Sequence, residues 1–441
     1  MKSFRVWLLL LPLLVPAARA ERYVLLVANR GTPAEAAGKK LADGEKVFFE
    51  VKLFKALDKA AELLKAGEHT VTVKVAGGQQ HTSQGNSGSW TVPQIVNPKG
   101  TLVIAGGYDG EWAKRDPFAL ASELVTVRGR GAVLEFSPKS KLAKLVVSGL
   151  HFDAAPSNSY DVKTNSLLKA DSRSLPLVAF QSLATAHLVV ADNVFLNGAH
   201  TAVNPYITPA GDASRVDIVN NLFLNNVMLM KTQTGGWGLK TLNIKGNSFI
   251  LNWPFNPDPT SSNVGALELY HSECCEELNI ESNLFAFNPG GAMQHDWPEK
   301  QMPKLHLKKN LFFTNATLFG DGRGDAGLFV GKFGKSPKHL VITVEQAADD
   351  YSYDMDGNVS FDPKVPVALV DLQAADSSGV QAKKTAMNDL RGLFGVNKQG
   401  GTVAIANYAP RLAIDSQNLP FPTDEKARAY GAARERVVTL E

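Results

Sequence analysis

Cysteine is nearly absent from this sequence of 441 residues, which contains only the adjacent pair Cys274 and Cys275. Neighbouring cysteines can pair only in a strained small ring, so the sequence excludes a framework of disulfides as the source of stability. A metal pair is not indicated either, because no further cysteine ligands are available. We expect two thiols near the start of a coil, with one of them buried.

A strong charge of one sign is also lacking. Lys and Arg together number 46 and Asp and Glu number 43, so the formal net charge is +3. No basic run with interleaved aromatics is present, and a nucleic-acid partner is therefore not predicted. After residue 20 no apolar run is long enough to span a membrane.

One pronounced apolar run lies at the N terminus. Lys2 and Arg5 form a basic start, Val6 to Val15 an apolar core, and Ala18 to Ala20 a small-x-small cleavage site. We therefore predict that residues 1–20 are a secretory signal and that the protein is secreted, periplasmic or on the cell surface. An uncleaved anchor is the alternative.

The middle of the chain repeats one pattern, apolar-x-apolar-x-x-Asn-x-Phe. Its asparagines are spaced by 28, 26, 36 and 27 residues, and a weaker copy ends at Asn358. The alternation predicts a strand with one buried face. The Asn tolerates the left-handed backbone of a tight turn, and the Phe begins a second strand. A period in the twenties with short strands indicates a β-solenoid. The repeated asparagines are Asn193, Asn221, Asn247, Asn283 and Asn310, and those that often close the second strand are Asn197, Asn225, Asn252, Asn288 and Asn315.

These Asn-x-Phe phrases resemble those of the right-handed parallel β-helix superfamily, the pectin-lyase-like fold. The resemblance covers roughly the middle half of the chain. It implies coils of three strands, with the asparagines stacked as a ladder that hydrogen-bonds from coil to coil. It says little about activity, because one fold carries many functions.

The predicted fold is thus all-β, a right-handed parallel β-helix with an N-terminal helical cap. We assign residues 21–75 to the cap and first coil, 76–370 to the β-helix, and 371–441 to a segment that covers the C-terminal end. The cap rests on an amphipathic helix that starts at Leu53 and stops at Gly67. Residues 79–90 are polar and rich in Gly and Ser, and they are predicted to form a surface loop.

Outward side chains at one strand position stack about 4.8 Å apart on successive coils, so a site should appear as polar residues in register. Alignment of the third strands places Glu268 and Gln294 in one outward column, with Leu229 beside Glu268. The next column contains Lys231, Tyr270 and Asp296, and the rim contains His271, Trp297, Arg323 and Lys332. An insertion from Trp253 to Asn263 is predicted to form a wall, with Trp253 and Phe255 available to stack on a sugar ring.

Two reactions suit these residue types. In a polyuronate lyase, Lys231 or Arg323 would neutralise the uronate carboxylate, while Tyr270 or His271 would act as base and acid. In a glycoside hydrolase, Glu268 and Asp296 would flank the bond. Taken as two coils apart, their backbones would be separated by about 9–10 Å, which suits inversion.

The sequence lacks the motifs of the polygalacturonase and pectate lyase branches, so no catalytic residue is carried over from them. Whether the protein is an enzyme stays open. The leading prediction is a monomer that binds an acidic polysaccharide, with lyase-type cleavage as the first reaction. The alternatives are a non-catalytic structural or adhesive surface protein and an inverting glycoside hydrolase. No cofactor is predicted. Calcium is weakly suggested by Asp349, Asp350, Asp354 and Asp356, although their order does not match an EF-hand loop.

Overall fold

The structure is a computed structural model. It describes residues 20–83, 89–126, 133–168, 176–180, 183–199, 201–204, 207–209, 214–227, 229–231, 239–255, 264–269, 275–295, 304–318, 329–330, 341–346, 354–366, 380–400, 405–414 and 418–440. Strands dominate these ranges.

The first strands are β1 (Arg22–Val27), β2 (Val47–Glu50), β3 (Thr70–Ala76), β4 (Gln79–Ser83), β5 (Trp90–Val92), β6 (Val96–Tyr108), β7 (Ser122–Thr126), β8 (Leu134–Phe136), β9 (Lys141–Ser148), β10 (Leu150–Asp153), β11 (Tyr160–Asp161), β12 (Ser166–Leu167), β13 (Val178–Ala179), β14 (Leu183–Ala191) and β15 (Val194–Leu196). The later strands are β16 (Val203–Asn204), β17 (Ile207–Pro209), β18 (Arg215–Val219), β19 (Leu222–Leu224), β20 (Met230–Lys231), β21 (Leu239–Lys245), β22 (Ser248–Ile250), β23 (Leu267–Leu269), β24 (Cys275–Glu281), β25 (Leu284–Ala286), β26 (Met293–His295), β27 (Lys304–Lys308), β28 (Leu311–Phe313), β29 (Phe329–Val330), β30 (Val341–Ile342) and β31 (Asp354–Asp356). The helices are α1 (Pro33–Leu41), α2 (Leu53–Ala66) and α3 (Val380–Leu393), with 3-10 turns at Ala155–Ser157, Ile405–Tyr408, Ala427–Ala429 and Arg434–Arg436.

Three long sheets organise the strands. The twelve-stranded sheet has the order β2-β1-β3-β6-β9-β14-β18-β21-β24-β27-β31, with β17 paired to β14. The eight-stranded sheet runs from β28 through β25, β22, β19, β15, β10 and β7 to β4, and the nine-stranded sheet is β30-β29-β26-β23-β20-β16-β13-β8-β5. Within these three sheets all described strand pairs are parallel, except that β29 and β30 are antiparallel. From β18 to β29 the chain visits the three sheets in turn, so each circuit adds one strand to each sheet. The prediction of an all-β fold built from parallel strands is confirmed.

A continuous apolar core runs between the three sheets. Inside the eight-stranded sheet, equivalent phenylalanines stack face to face with ring centroids 4.6–5.3 Å apart and interplanar angles of 5–11°. Each ring buries a large apolar area, and each stacked pair adds about 0.5–1.5 kcal/mol beyond that burial. The stack consists of Phe152, Phe195, Phe223, Phe249, Phe285 and Phe312.

The repeated asparagines form a buried ladder beside this core. The backbone N–H of each one donates to the side-chain Oδ1 of the next at 2.9–3.0 Å, from Asn193 to Asn358. Each Nδ2 also donates to a carbonyl of the preceding circuit, as Asn247 does to Ile218 at 2.8 Å. Buried backbone groups must find partners, and here a side chain supplies them where the chain bends out of the sheet.

The sequence prediction placed the wrong residue in the left-handed conformation. The residue before each ladder asparagine has the positive φ, and its type varies, as Asp192 (57°), Ser282 (57°) and Lys309 (53°) illustrate. The asparagine itself is needed for its buried amide, whereas the position before it accepts several residue types.

A second ladder closes the second strand of each circuit. It links Gly198, Asn226, Asn252, Asn288 and Asn315 through N–H to Oδ1 distances of 2.9–3.2 Å. Asn197 and Asn225 lie one residue earlier and have left-handed φ values of 58° and 54°. The residues that close these two strands are therefore the next ones along the chain, Gly198 and Asn226.

The predicted strands and helix of the N-terminal region are present, together with one helix that was not predicted. Strands β1, β2 and β3 and helix α2 form as expected, and the apolar face of α2 joins the core. Helix α1 was not predicted, although Thr32 accepts from the backbone N–H of Glu35 and Pro33 occupies the first turn. This pairing of an N-cap with proline was an available signal for a helix start.

Residues 79–90 are not simply a surface loop. Gln79–Ser83 is strand β4 of the eight-stranded sheet, and Trp90 begins β5 of the nine-stranded sheet. His81 and Trp90 are both buried. Their polar neighbours face outward in alternation, a period-2 pattern that the high Gly and Ser content of the segment concealed.

The C-terminal segment lies along the side of the sheets, a placement that the sequence did not predict. Residues 418–440, here called the strap, run backward past successive circuits. Within the strap, Gly431 N–H donates to the Ser282 carbonyl at 2.8 Å and Ala433 N–H to Asn220 Oδ1 at 2.8 Å. Further on, Val438 N–H donates to Asp192 at 3.1 Å. The strap thus binds the left-handed bend residues of several circuits.

The ladder predicts a large loss of stability for Asn247→Ala. This change leaves the buried Asn221 N–H and Ile218 carbonyl without partners, at a cost of about 2–4 kcal/mol in the free energy of unfolding. Asn279→Ala is the matched control, because Asn279 lies on the outer face and donates to Asn243 at 2.9 Å. It should cost less than about 1 kcal/mol. Denaturant unfolding measures both, and equal losses would contradict a special role for the ladder.

The strap predicts that Gly431→Ala loosens the C terminus. Gly431 has a φ of 76°, and a Cβ there would lie 2.4 Å from Ser248 Oγ and 2.8 Å from Leu284 Cβ. Gly395 has a φ of 68° with nothing within 4 Å of its Cβ position, so Gly395→Ala isolates the backbone penalty of about 1–2 kcal/mol. We expect limited proteolysis to release a C-terminal peptide from the Gly431 variant alone. Release from both variants, or from neither, would argue against this close contact.

Candidate functional site

Three residues of the predicted polar patch, Lys231, Glu268 and Gln294, lie on the nine-stranded sheet. Register pairs Lys231 with Glu268 on neighbouring strands β20 and β23, and Glu268 with Gln294 on β23 and β26. The predicted pairing of Glu268 with Gln294 is confirmed. The three residues thus occupy one position on three successive strands, which is the arrangement expected of a site built on a repeated scaffold.

The position beside Glu268 differs from the prediction, because Lys231 occupies it instead of Leu229. Val227 forms a parallel bridge with Trp253 and so belongs to the preceding bend, and β20 begins only at Met230. Leu229 is fully buried in the core. The alignment of the third strands was therefore two residues out of step on this circuit.

Glu268 and Gln294 face away from the core yet are almost completely buried, with 0% and 1% exposure. Their neighbours Leu267 and Met293 lie in the core, so alternation along the strands puts the two polar side chains on the outer face. Gln294 Oε1 accepts from the Val264 backbone N–H at 2.9 Å. A chain segment at the end of the insertion thus packs over this face, and Glu268 places a carboxylate beneath the surface.

Trp253 does not form a stacking platform. It is 1% exposed, and its indole Nε1–H donates to Asn225 Oδ1 at 2.7 Å. Its backbone extends the bend after Asn252, which draws the ring into the apolar cluster on the outside of the eight-stranded sheet. Phe255 is partly buried against the same cluster.

The other predicted site residues lie outside the described residues. They are Tyr270, His271, Asp296, Trp297, Arg323 and Lys332. Strands β23 and β26, which carry Glu268 and Gln294, are direct neighbours with no strand between them. The spacing across the sheet is about 4.8 Å, half the separation that the inverting-hydrolase prediction assumed.

A polar array that the sequence reasoning missed lies on the outer face of the twelve-stranded sheet. Asp217 accepts hydrogen bonds from Arg215 at 2.7 Å and Asn243 at 2.6 Å, and His187 Nε2 lies 2.7 Å from its other oxygen. Asn279 continues the column by donating to Asn243. The signal was present in the sequence, because these residues occupy the variable position between the apolar residues of successive repeats.

The array continues on the last circuits. His306 Nδ1 bonds Asp354, and Lys308 Nζ lies 2.8 Å from the same carboxylate. His306 Nε2 is 3.2 Å from Glu277 Oε1 but lacks the alignment of a hydrogen bond. Asp354, one of the residues that suggested calcium, is thus engaged by the side chains of His306 and Lys308. Asp349 and Asp350 lie outside the described residues.

Electrostatics identifies Asp217 as a structural ion. Burial alone would raise the pKa of Asp217, but hydrogen bonds from His187, Arg215 and Asn243 outweigh it and lower this pKa to about 2. A carboxylate with so low a pKa and three donors is a poor general base. The array therefore ties neighbouring strands together and shows no catalytic arrangement.

Within the described ranges, no group of three or more His, Cys, Asp or Glu side chains is placed to hold a metal ion. Cys275 begins β24 and is buried in the core, whereas Cys274 falls outside those ranges. No helix in the described part of the chain is both long and apolar enough to cross a membrane.

Comparisons of the chain with protein-family models, with curated proteins and with solved structures found no match.

The Asp217 network predicts a specific response to acid. A lowered folded-state pKa contributes stability above the unfolded value of about 3.9, and this stability is lost as the pH falls through about 2. At pH 7 the contribution is about 2 kcal/mol. We expect Asp217→Asn to lower the free energy of unfolding by this amount at pH 7 and to approach the wild type between pH 4 and pH 2. Asp58→Asn, an exposed change on α2, is the control. A difference that stays constant with pH would contradict the assignment.

Proposed function

We propose that this protein is an exported, monomeric right-handed parallel β-helix of the pectin-lyase-like type, with α2 as its N-terminal cap, that binds an acidic polysaccharide. The three parallel sheets, one strand of each per circuit, support the β-helix. The apolar face of α2, which joins the core beside β1, β3 and β5, supports the cap. The signal-like residues 1–20 support export to the periplasm, the cell surface or the medium.

The column of Lys231, Glu268 and Gln294 carries the proposal. Burying a carboxylate costs free energy, and such groups occur more often at functional sites than on solvated surfaces. A lysine in register beside it offers a cation for a uronate carboxylate. A row of parallel strands also suits an extended chain, because contacts to successive sugars can repeat with the circuits.

The reaction that these residue types support is β-elimination. Lys231 or Arg323 would neutralise the uronate carboxylate and so acidify the neighbouring C–H. Tyr270 or His271 would take that proton, the electron pair would form the C=C bond, and the glycosidic oxygen would leave with a proton from the acid. Gln294, Trp297 and Lys332 would bind the flanking sugars.

A non-catalytic structural or adhesive role is the second candidate. The observation that favours it is the cover over Glu268 and Gln294, since a face sealed by Val264 leaves no described groove there. Such a protein would use the stacked ladders for rigidity alone.

We expect the purified mature protein to bind a polyuronate such as polygalacturonate or alginate, and not a neutral glycan such as dextran. Affinity electrophoresis measures binding, and absorbance measures unsaturated product. Reducing ends are measured separately, and every measurement is made with and without calcium. Lys231→Ala should weaken binding about tenfold or more, a loss of about 1.4 kcal/mol. Glu268→Gln tests the buried carboxylate without changing its shape.

Lys304→Ala is the matched control, because Lys304 is an exposed lysine on the twelve-stranded sheet. Reducing ends without unsaturated product, lost in Glu268→Gln, would favour a hydrolase. No binding and no product across the panel would favour the structural role and remove the patch as a site.

A further inference from the structure

Glu21 lies at a defined position in the fold, directly after the point where the predicted secretory signal ends. Ala20 is exposed, whereas Glu21 is partly buried. The Glu21 carbonyl accepts from the Thr70 N–H of β3 at 2.9 Å, and β1 begins at the next residue, Arg22. Cleavage after Ala20 would therefore leave the new chain end at the base of the β1–β3 strand pair and not on a free tail.

The backbone nitrogen of Glu21 has a specific partner. Its N–H donates to His69 Nδ1 at 3.2 Å, and His69 is only 8% exposed. The backbone of His69 is fixed by its N–H, which donates to the Gly67 carbonyl at 2.8 Å, and the ring packs edge-on against Tyr23 with centroids 5.0 Å apart. The acceptor for the Glu21 nitrogen is thus held in place by its own strand and by a neighbouring ring.

The side chain of Glu21 keeps a negative charge beside the same nitrogen. Its carboxylate accepts from the Tyr23 hydroxyl, and Lys46 Nζ lies 3.6 Å from its other oxygen. The Tyr23 hydrogen bond, followed by the charge of Lys46, lowers the pKa of the Glu21 carboxyl. An anion within the same residue favours a cation at the backbone nitrogen. The surroundings of this nitrogen therefore suit an ammonium group as well as an amide N–H.

We propose that His69 Nδ1 is the binding site of the chain's own N-terminal ammonium after residues 1–20 are removed, and that this contact locks β1 onto β3 in the mature protein. Hydrolysis of the Ala20–Glu21 bond puts the oxygen atom of one water molecule on the Ala20 carboxylate and its two hydrogen atoms on the Glu21 nitrogen. The charged donor then replaces the amide donor, and such hydrogen bonds are about twice as strong as neutral ones. This inference rests on the export part of the proposed function and does not depend on polysaccharide binding.

Amine labelling of two purified chains tests the proposal. One chain begins at Glu21 and the other retains Ala20, and both are released from a fusion by a protease that leaves no additional residue. Reductive methylation at pH 7 favours the α-amine over lysine, because their ordinary pKa values are about 7.7–8.0 and about 10.4. Mass spectrometry of the N-terminal peptide gives the labelling rate, and each rate is divided by that of the same chain unfolded in guanidinium.

We expect the normalised rate of the Glu21 amine to be at least about tenfold lower than that of the Ala20 amine. The Glu21 amine must leave His69 by a local opening before it reacts, whereas the Ala20 amine lies one residue further out on an exposed position. The chain that begins at Glu21 should also have the higher melting temperature, because only this chain makes the charged hydrogen bond.

His69→Leu removes the acceptor, and His151→Leu is its matched control. His151 is also 8% exposed, but its Nε2 bonds the Pro117 carbonyl at 2.7 Å. His69→Leu should raise the normalised rate of the Glu21 amine to that of the Ala20 amine and abolish the difference in melting temperature between the two chains. His151→Leu should lower the melting temperature of both chains and leave the protection of the Glu21 amine unchanged.

The comparison of the two starting residues needs no variant, so it decides the question even where His69→Leu does not fold. Equal normalised rates for the two chains would overturn the inference, as would full protection of the Glu21 amine in folded His69→Leu. N-terminal sequencing of the exported protein examines the premise separately. A natural chain that starts at another residue would overturn both the predicted cleavage site and this inference, whereas equal labelling rates would overturn this inference alone.

Discussion

The structure depends on the buried asparagine amides at two bends of each repeated circuit. A chain that adds parallel strands to several sheets must leave each sheet at a corner, where backbone N–H and C=O groups lose their regular partners. Asn221 and Asn247 solve this by accepting from the preceding circuit with Oδ1 and donating back to it with Nδ2. Because each asparagine serves both neighbours, the ladder stabilises the contact between circuits and not the individual strand.

A ladder of this kind joins each circuit to the circuits before and after it. Neighbouring circuits also contact each other through the same phenylalanine stack, so the stability of each circuit depends on its neighbours. The first circuit and the bends then need cover from elsewhere in the chain. Helix α2 packs its apolar face on the early strands, and the strap binds bend residues such as Asp192 and Asn220.

The repeated part of the fold was predictable because one physical requirement recurs at each circuit. The pattern located the strands and the ladder asparagines, yet it placed the left-handed residue one position late. That residue varies in type, so it leaves no pattern to read. The strap and helix α1 were missed for a related reason, since each makes contacts that occur once and have no periodicity. The same holds for β4, where His81 faces inward among polar neighbours.

The candidate site was the least predictable feature, because a polar side chain on an outward position has the same sequence signature whether it is solvated, structural or functional. Burial and hydrogen bonding separate these cases. Asp217 is nearly buried, but three donors satisfy it and its pKa is low, so it is a strand-to-strand tie. Glu268 is buried on an outward face beside the Lys231 position. Burying a carboxylate costs free energy, and a surface with a purely structural role does not need one there. Buried polar side chains that the repeated scaffold does not require are therefore the first places to test for function.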